Sequence, residues 1–134
     1  MPLEISTEVS FSAAHFIDGY QGDCARMHGH NWRIRVTLRA EAPRPGAALP
    51  GDPRPAGLAY DFRKLRALLT EVAGRLDHTV LNELPFFAGK NPTAEAIAEW
   101  FYNEVAGRTA AEPVKVARVE VWESATSCAA YFKE

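Results

Sequence analysis

Two histidines separated by one residue, His28 and His30, precede a segment in which apolar and polar side chains alternate. Every even position from Asn31 to Arg39 is apolar, and three of the odd positions are arginines. This alternation predicts a β-strand with one buried face. Residues two apart on a strand point to the same side, so a strand that extends back through the pair would project both imidazoles from one face of a sheet.

Three of the four histidines, His15, His28 and His30, lie close together in the sequence. If a neighbouring strand brings His15 to the pair, three neutral imidazoles and an open position result, the arrangement in which proteins hold a catalytic Zn²⁺. Other divalent ions also fit such a site. Cys24 offers a thiolate base or nucleophile beside the metal. The alternative is that these are hydrogen-bonded loop or surface histidines.

Length and charge restrict the remaining possibilities. The 134 residues suffice for one hydrophobic core, so we expect a single domain over residues 1–134. The net charge of −2 predicts no nucleic-acid surface, and no apolar run is long enough for a membrane span. The N-terminus does not resemble a signal peptide, so we expect a cytoplasmic protein in which Cys24 and Cys128 stay reduced.

Periodicity predicts the element order strand, strand, helix, helix, strand, strand. The strands are expected over residues 3–16, 31–41, 114–123 and 127–133. The helices are expected over residues 62–76 and from Thr93 to Gly107, with Asp61 and Thr93 as N-caps. Loops are expected over 17–27, over 77–89 and over 42–57, which contains five prolines and three glycines.

This order predicts an α+β domain in which four antiparallel strands carry both helices on one face. The other face of the sheet would be open and would carry the arginines of the second strand. Exposed strand edges favour closure by other copies of the chain. We therefore expect a homo-oligomer whose sheets form a barrel.

Six short motifs occur in a fixed order along the chain: Phe11–His15, Cys24–His30, Asp61–Phe62, Leu76–Asn82, Asn91–Glu95 and Trp122–Ser124. With these motifs the chain resembles the 6-pyruvoyl-tetrahydropterin synthase and 6-carboxy-tetrahydropterin synthase family of the tunnelling fold, over nearly its whole length. The three-residue gap between Cys24 and His28 is similar to that of the bacterial 6-carboxy enzymes of the queuosine precursor pathway. Ser124, where threonine is more usual, and the long loop 42–57 depart from the family pattern.

The resemblance implies that His15, His28 and His30 bind Zn²⁺ and that Cys24 moves protons on the side chain of a pterin substrate. Zinc would acidify a bound substrate hydroxyl as a Lewis acid. A nearby cation and a histidine partner would lower the pKa of the Cys24 thiol towards a useful range. A buried, unreactive thiol is the alternative for Cys24.

The resemblance also implies a proton relay, in which Asp77 orients His78, supplied by a neighbouring subunit. A histidine that interacts with a helix C-terminus is the alternative. Glu123 would anchor the pterin by accepting two parallel hydrogen bonds, the alternative being an exposed glutamate at a strand end. Thr93 and Glu95 are weaker candidates for the pterin pocket, because an N-cap alone explains Thr93.

Several basic and aromatic side chains each allow two interpretations. Four basic side chains could bind a triphosphate or form a solvated face: Arg33, Arg35, Arg39 and Lys90. Two aromatic side chains, Phe11 and Trp32, could stack on the pterin or pack in the core. Cys128 is expected to be a buried, small apolar residue without chemistry.

The resulting hypothesis is a zinc lyase that converts 7,8-dihydroneopterin triphosphate to 6-carboxy-5,6,7,8-tetrahydropterin, acetaldehyde and triphosphate. The resemblance also implies a homo-oligomer, expected to be a hexamer, with active sites at subunit interfaces. A 6-pyruvoyl-tetrahydropterin synthase would use the same site and stop earlier. A non-catalytic zinc or pterin-binding module is the third hypothesis, although a pure binder needs no proton relay.

Overall fold

The computed structural model describes residues 2–44, 46 and 49–133, which form a sheet covered by two helices. The strands are β1 Leu3–His15, β2 His28–Ala40, β3 Thr79–Val80, β4 Lys115–Trp122 and β5 Cys128–Tyr131. The helices are α1 Phe62–Gly74 and α2 Ala94–Arg108. Within these described residues, no helix has the length and apolar character that crossing a membrane requires.

The sheet has the strand order β3-β1-β2-β4-β5. The predicted α+β class is confirmed, but the prediction of four antiparallel strands is wrong. A fifth strand, β3, pairs in parallel with Ala13 and Ala14 of β1, which makes the sheet mixed. With two residues, β3 is too short to produce an alternating pattern in the sequence.

The core lies between the sheet and the helices. The even positions of β2 from Trp32 to Ala40 are fully or almost fully buried, as the alternation predicts, and they pack with apolar side chains of both helices. The contributing residues are Trp32, Ile34, Val36 and Leu38 from β2, Leu65, Leu69 and Val72 from α1, and Ile97, Phe101 and Val105 from α2. A shift of β2 by one residue would turn its buried side chains towards solvent. The core therefore fixes the register of β2 and, with it, the position of the histidines on that strand.

Both predicted N-caps are present. Asp61 accepts a hydrogen bond from the backbone N–H of Arg63, and Thr93 accepts one from that of Ala96. The predicted helix ends are less accurate, because α1 ends at Gly74, two residues before Leu76, and α2 continues through Gly107 to Arg108. Thr109 caps the end of α2, where its backbone N–H and its hydroxyl both donate to the carbonyl oxygen of Val105.

The second strand begins earlier than predicted, at His28 instead of Asn31, so that His28 and His30 are themselves strand residues. In the proline-rich loop, turns and bends dominate the described part, and positions 45, 47 and 48 lie outside it. Two backbone hydrogen bonds, from Arg44 to Leu58 and from Ala56 to Gly46, hold the ends of this loop together.

One edge of the sheet has little cover. β3 pairs only with Ala13 and Ala14, so the stretch of β1 from Leu3 to Ser12 has no strand neighbour on its outer side among the described residues. β5, four residues long, forms the opposite edge. Unpaired edges of this kind accept a strand from another chain.

Candidate metal and active centre

The three predicted metal ligands converge at one end of β1 and β2. His15 ends β1 and pairs directly with His28, while His30 pairs with Ala13. The imidazole centroids lie 4.6 Å apart for His15 and His28, 4.8 Å for His28 and His30, and 5.3 Å for His15 and His30. The strand spacing therefore brings the three rings together as the sequence predicts.

Hydrogen bonds fix the protonated nitrogen of two of these rings. Nδ1 of His15 lies 2.8 Å from the carbonyl oxygen of Pro92, and Nδ1 of His28 lies 2.6 Å from that of Arg26. A carbonyl oxygen can only accept, so each Nδ1 carries the proton and each Nε2 keeps a free lone pair. Metal-ligating histidines are held by partners of this kind.

Two of the ring nitrogens are buried without a hydrogen-bond partner among the described residues. Nε2 of His15 and Nε2 of His30 are buried and make no hydrogen bond to any residue that the structure describes. Oε1 of Glu123 lies 3.0 Å from Nε2 of His30, yet the pair lacks hydrogen-bond geometry. The ligand atoms of the three histidines and Glu123 all lie within 4.8 Å of one another. Unpaired buried nitrogens are costly, and a divalent cation at their centre would satisfy them.

Burial favours the neutral form of two of the three rings. Desolvation lowers the pKa of His15, against the opposing effect of its hydrogen bond to Pro92. Desolvation likewise lowers the pKa of His30, although Glu123 acts in the opposite direction. Neutral imidazole is the form that binds a metal, so the residues present fit a divalent cation.

We expect the metal-free protein to lose stability as the pH falls below about 6.5, the ordinary pKa of histidine. The unfolded chain then binds protons that the buried His15 and His30 rings do not take up, which favours unfolding. Because the folded pKa values are depressed, this stability is complete above the unfolded pKa and is lost as the pH falls.

Urea unfolding of the metal-free protein across this pH range checks the expectation. His30→Gln should flatten the pH dependence, whereas Asn103→Gln, at an exposed position of α2 without a titratable side chain, serves as the control and should not. Equal slopes for the wild type and His30→Gln would contradict the expected effect.

The structure also brings Asp77 and His78 together. Oδ2 of Asp77 lies 2.8 Å from Nδ1 of His78, and Oδ1 accepts a hydrogen bond from the backbone N–H of Ser12. Both hydrogen bonds lower the pKa of Asp77, and the one from Ser12 has the larger effect. The His78 side chain is 81% exposed, so it can reach a group outside this chain. A carboxylate that orients an exposed imidazole is a proton relay in its simplest form.

Cys24 lies in a short 3₁₀ turn, Asp23–Ala25, and is exposed. Its carbonyl oxygen accepts a hydrogen bond from the backbone N–H of Ile17, which closes the loop after β1. Among the described residues, the cluster of potential ligands contains Glu123 and the three histidines but not Cys24. The thiol is therefore free for proton transfer, and it does not take part in the Asp77–His78 pair.

Glu123 and Glu95 line one cavity of about 420 Å³, with the edge of β5 on its other side. Glu123 is half-buried beside the histidines, and Glu95 is exposed in the first turn of α2. Thr93 does not line this cavity, and its hydroxyl caps α2. Two carboxylates in one cavity suit a ligand with several N–H donors.

The basic residues of the open face are partly neutralised. Arg33 and Arg35 both contact Glu8, at 3.3 and 3.4 Å, and Arg39 lies 3.9 Å from Glu41. This arrangement matches the alternative of a solvated basic face. Lys90 is exposed at a separate cavity next to Asn91.

Three predictions about apolar residues can be decided. Phe11 and Trp32 stack on each other and are 3% and 0% exposed, so the alternative of core packing is confirmed and stacking on a ligand is wrong. Trp32 also packs edge-on against His15 and His30, at 5.0 and 5.1 Å. The expectation for Cys128 is wrong, because its position at the start of the edge strand β5 leaves it exposed.

Asparagines that the motif search did not assign a role hold the loop after His15. The side-chain amide of Asn82 exchanges two hydrogen bonds with the backbone of Phe16. Asn91 does the same with Asp18. The signal was present in the sequence, since both asparagines lie within the six motifs, but only the fold shows which backbone groups they meet.

The chain is similar to proteins of one family. Residues 4–134 match the family profile described as 6-pyruvoyl tetrahydropterin synthase. A 6-carboxy-5,6,7,8-tetrahydropterin synthase of Synechocystis sp. is 36% identical over 129 residues, which cover 96% of this chain and 92% of that relative. One of Haemophilus influenzae is 26% identical over 148 residues, covering 96% and 98%.

Solved structures show the same fold. The 6-pyruvoyl tetrahydropterin synthase of Caenorhabditis elegans superposes with a TM-score of 0.77 at 23% identity, covering 100% of this chain and 97% of that one. At this identity the likeness supports the architecture alone.

Proposed function

The chain belongs to the 6-pyruvoyl tetrahydropterin synthase family, and we propose that it is a zinc-dependent lyase acting on 7,8-dihydroneopterin triphosphate. With uptake of water, the products would be 6-carboxy-5,6,7,8-tetrahydropterin, acetaldehyde and triphosphate, which would serve queuosine or another 7-deazapurine pathway. The observation that carries this proposal is the cluster of three histidines beside Glu123, in which Nε2 of His15 and Nε2 of His30 are buried without a hydrogen-bond partner in the described part of the chain.

His15, His28 and His30 would hold the metal through their Nε2 atoms, because hydrogen bonds occupy Nδ1 of His15 and of His28. The bound Zn²⁺ would supply Lewis-acid chemistry that acidifies a substrate hydroxyl. Glu123 would accept hydrogen bonds from the amine and ring N–H of the pterin. Its position beside His30 supports a substrate bound close to the metal. Thr93 would contribute indirectly, by fixing the start of α2 behind the cavity.

Cys24 would accept and return protons on the side-chain carbons of the substrate, while Asp77 and His78 relay the charge. In the described part of the chain, the Cys24 thiol makes no hydrogen bond to Asp77 or His78, and the His78 side chain is exposed. These observations support a site completed by a second copy of the chain. The unpaired edge of β1 over Leu3–Ser12 supports a homo-oligomer, for which we propose a hexamer with a barrel of joined sheets.

The first experiment is mass spectrometry of the products formed when the zinc-loaded protein is incubated with 7,8-dihydroneopterin triphosphate. We expect a carboxy-pterin, acetaldehyde and triphosphate. A pyruvoyl-pterin would contradict the proposed product and support the alternative synthase, which uses the same residues. Unchanged substrate with zinc bound would contradict both and favour a binding module. Protein from which the metal has been removed is the matched control.

A further inference from the structure

His78 is held in an unusual backbone conformation. Its φ angle is +58°, and it is the only residue other than glycine with a positive φ in the described part of the chain. A side chain with a Cβ adopts this region only where the surroundings hold it there. Because the imidazole is exposed, its position depends on what fixes the backbone of residues 77 and 78.

Ser12 of β1 fixes that backbone from both sides. The carbonyl oxygen of Ser12 accepts a hydrogen bond of 2.6 Å from the backbone N–H of His78. The backbone N–H of Ser12 donates one of 2.9 Å to Oδ1 of Asp77. The N–H and the C=O of Ser12 are thus both hydrogen-bonded to the Asp77–His78 pair. This pair lies beside β1 where a neighbouring strand would lie, directly before β3 begins.

The side chain of Ser12 connects this arrangement to the strand that carries the metal ligands. Its hydroxyl donates a 2.7 Å hydrogen bond to Oδ1 of Asn31, the residue that directly follows His30 and faces Ser12 across the β1–β2 pair. Ser12, His30, Asn31 and His78 line one cavity of about 370 Å³. The hydrogen bond therefore links the strand that carries His28 and His30 to the residue that holds the backbone of Asp77 and His78.

We propose that Ser12 and Asn31 are positioning residues, which fix the Asp77–His78 relay against β1 and β2 of its own chain and so set where the imidazole meets the site that it serves. The expected change in kcat rests on the proposed function, whereas the expected change in the position of His78 does not. The hydroxyl–amide bond is exposed, so it adds little to stability, and its contribution lies in geometry. Displacement of a catalytic group by about 1 Å costs up to a hundredfold in rate, so a smaller shift has a measurable cost.

The test uses Ser12→Ala, Asn31→Ala and the double variant, with Ser12→Thr to restore the hydroxyl. Ser10→Ala is the matched control, because Ser10 is exposed on the same face of β1 and faces Arg33. We expect kcat to fall about tenfold in each single variant, with KM and zinc content retained. The double variant should be no worse than the poorer single one, because the two residues act as a unit. Ser12→Thr should recover most of the loss.

A second readout is independent of turnover. The chain has four histidines, so NMR of histidine-labelled protein resolves each ring. The His78 signal should move in Ser12→Ala and in Asn31→Ala, while the signals of His15, His28 and His30 stay in place. Three results would overturn the proposal. The first is a His78 signal that does not move. The second is a double variant whose loss of kcat equals the product of the two single losses, and the third is a loss of zinc that parallels the loss of kcat. Inactivity of the wild type would refute the proposed function and leave the His78 signal as the deciding measurement.

Discussion

The Cys24→Ala protein is expected to fold and bind its metal like the wild type but to lose at least about a hundredfold of its turnover, the usual contribution of a general acid–base group. Cys24 is exposed and lies outside the histidine cluster, so its removal leaves the metal centre intact. Steady-state kinetics at equal zinc content measure the loss. Asn103→Ala, a substitution at an exposed position of α2 outside the site, is the control and should keep its activity. Equal activities of both variants would show that Cys24 moves no proton.

Mixing two inactive variants tests where the relay comes from. His78→Ala should also be inactive and should keep its metal, because His78 lies apart from the cluster. If each site takes Cys24 from one chain and His78 from another, oligomers refolded from equal amounts of the two variants contain roughly a quarter of intact sites. Absence of any recovery would place both residues of a site on one chain.

The second large effect concerns the metal. We expect His28→Ala to lower the affinity for zinc by more than about a hundredfold, because losing a direct ligand costs more than the ten- to hundredfold measured for outer-shell partners. His28 is only half-buried, so the fold should survive the change. Turnover should fall to the level of the metal-free protein.

Metal analysis and competition with a chelating dye measure this affinity. A second measurement is the melting temperature, which bound zinc should raise in the wild type but hardly change in His28→Ala. His78→Ala, which removes an exposed histidine outside the cluster, should behave like the wild type in both. Parallel losses of zinc in the two variants would show that the affected site is not the cluster.

The sequence predicts the centre of the site better than its surroundings. The alternation after His30 places one face of β2 in the core, and the strand period then puts His28 and His30 on the same face, which the structure bears out. The N-caps Asp61 and Thr93 are equally local signals and are found as predicted. Each of these features depends on neighbours a few residues away, so the sequence alone contains it.

Features that depend on distant contacts could not be predicted. The two-residue strand β3 exists only because β1 lies beside it, and no periodicity announces it. The exposure of Cys128 follows from β5 being an edge strand, which the pattern of β5 itself does not reveal. The contact between Glu123 and His30 joins the ends of strands that neighbour each other in the sheet but lie far apart in the chain.

If His78 relays protons as proposed, its left-handed backbone sets stability and activity against each other at a single position. A residue held in this region costs of order 1–3 kcal/mol, and glycine adopts the same conformation without that cost. Directed evolution for heat resistance, or a design method that scores folding energy alone, would therefore select glycine at position 78 and discard the imidazole. Engineers who wish to stabilise this scaffold should hold that residue constant and look for gains in the proline-rich loop instead.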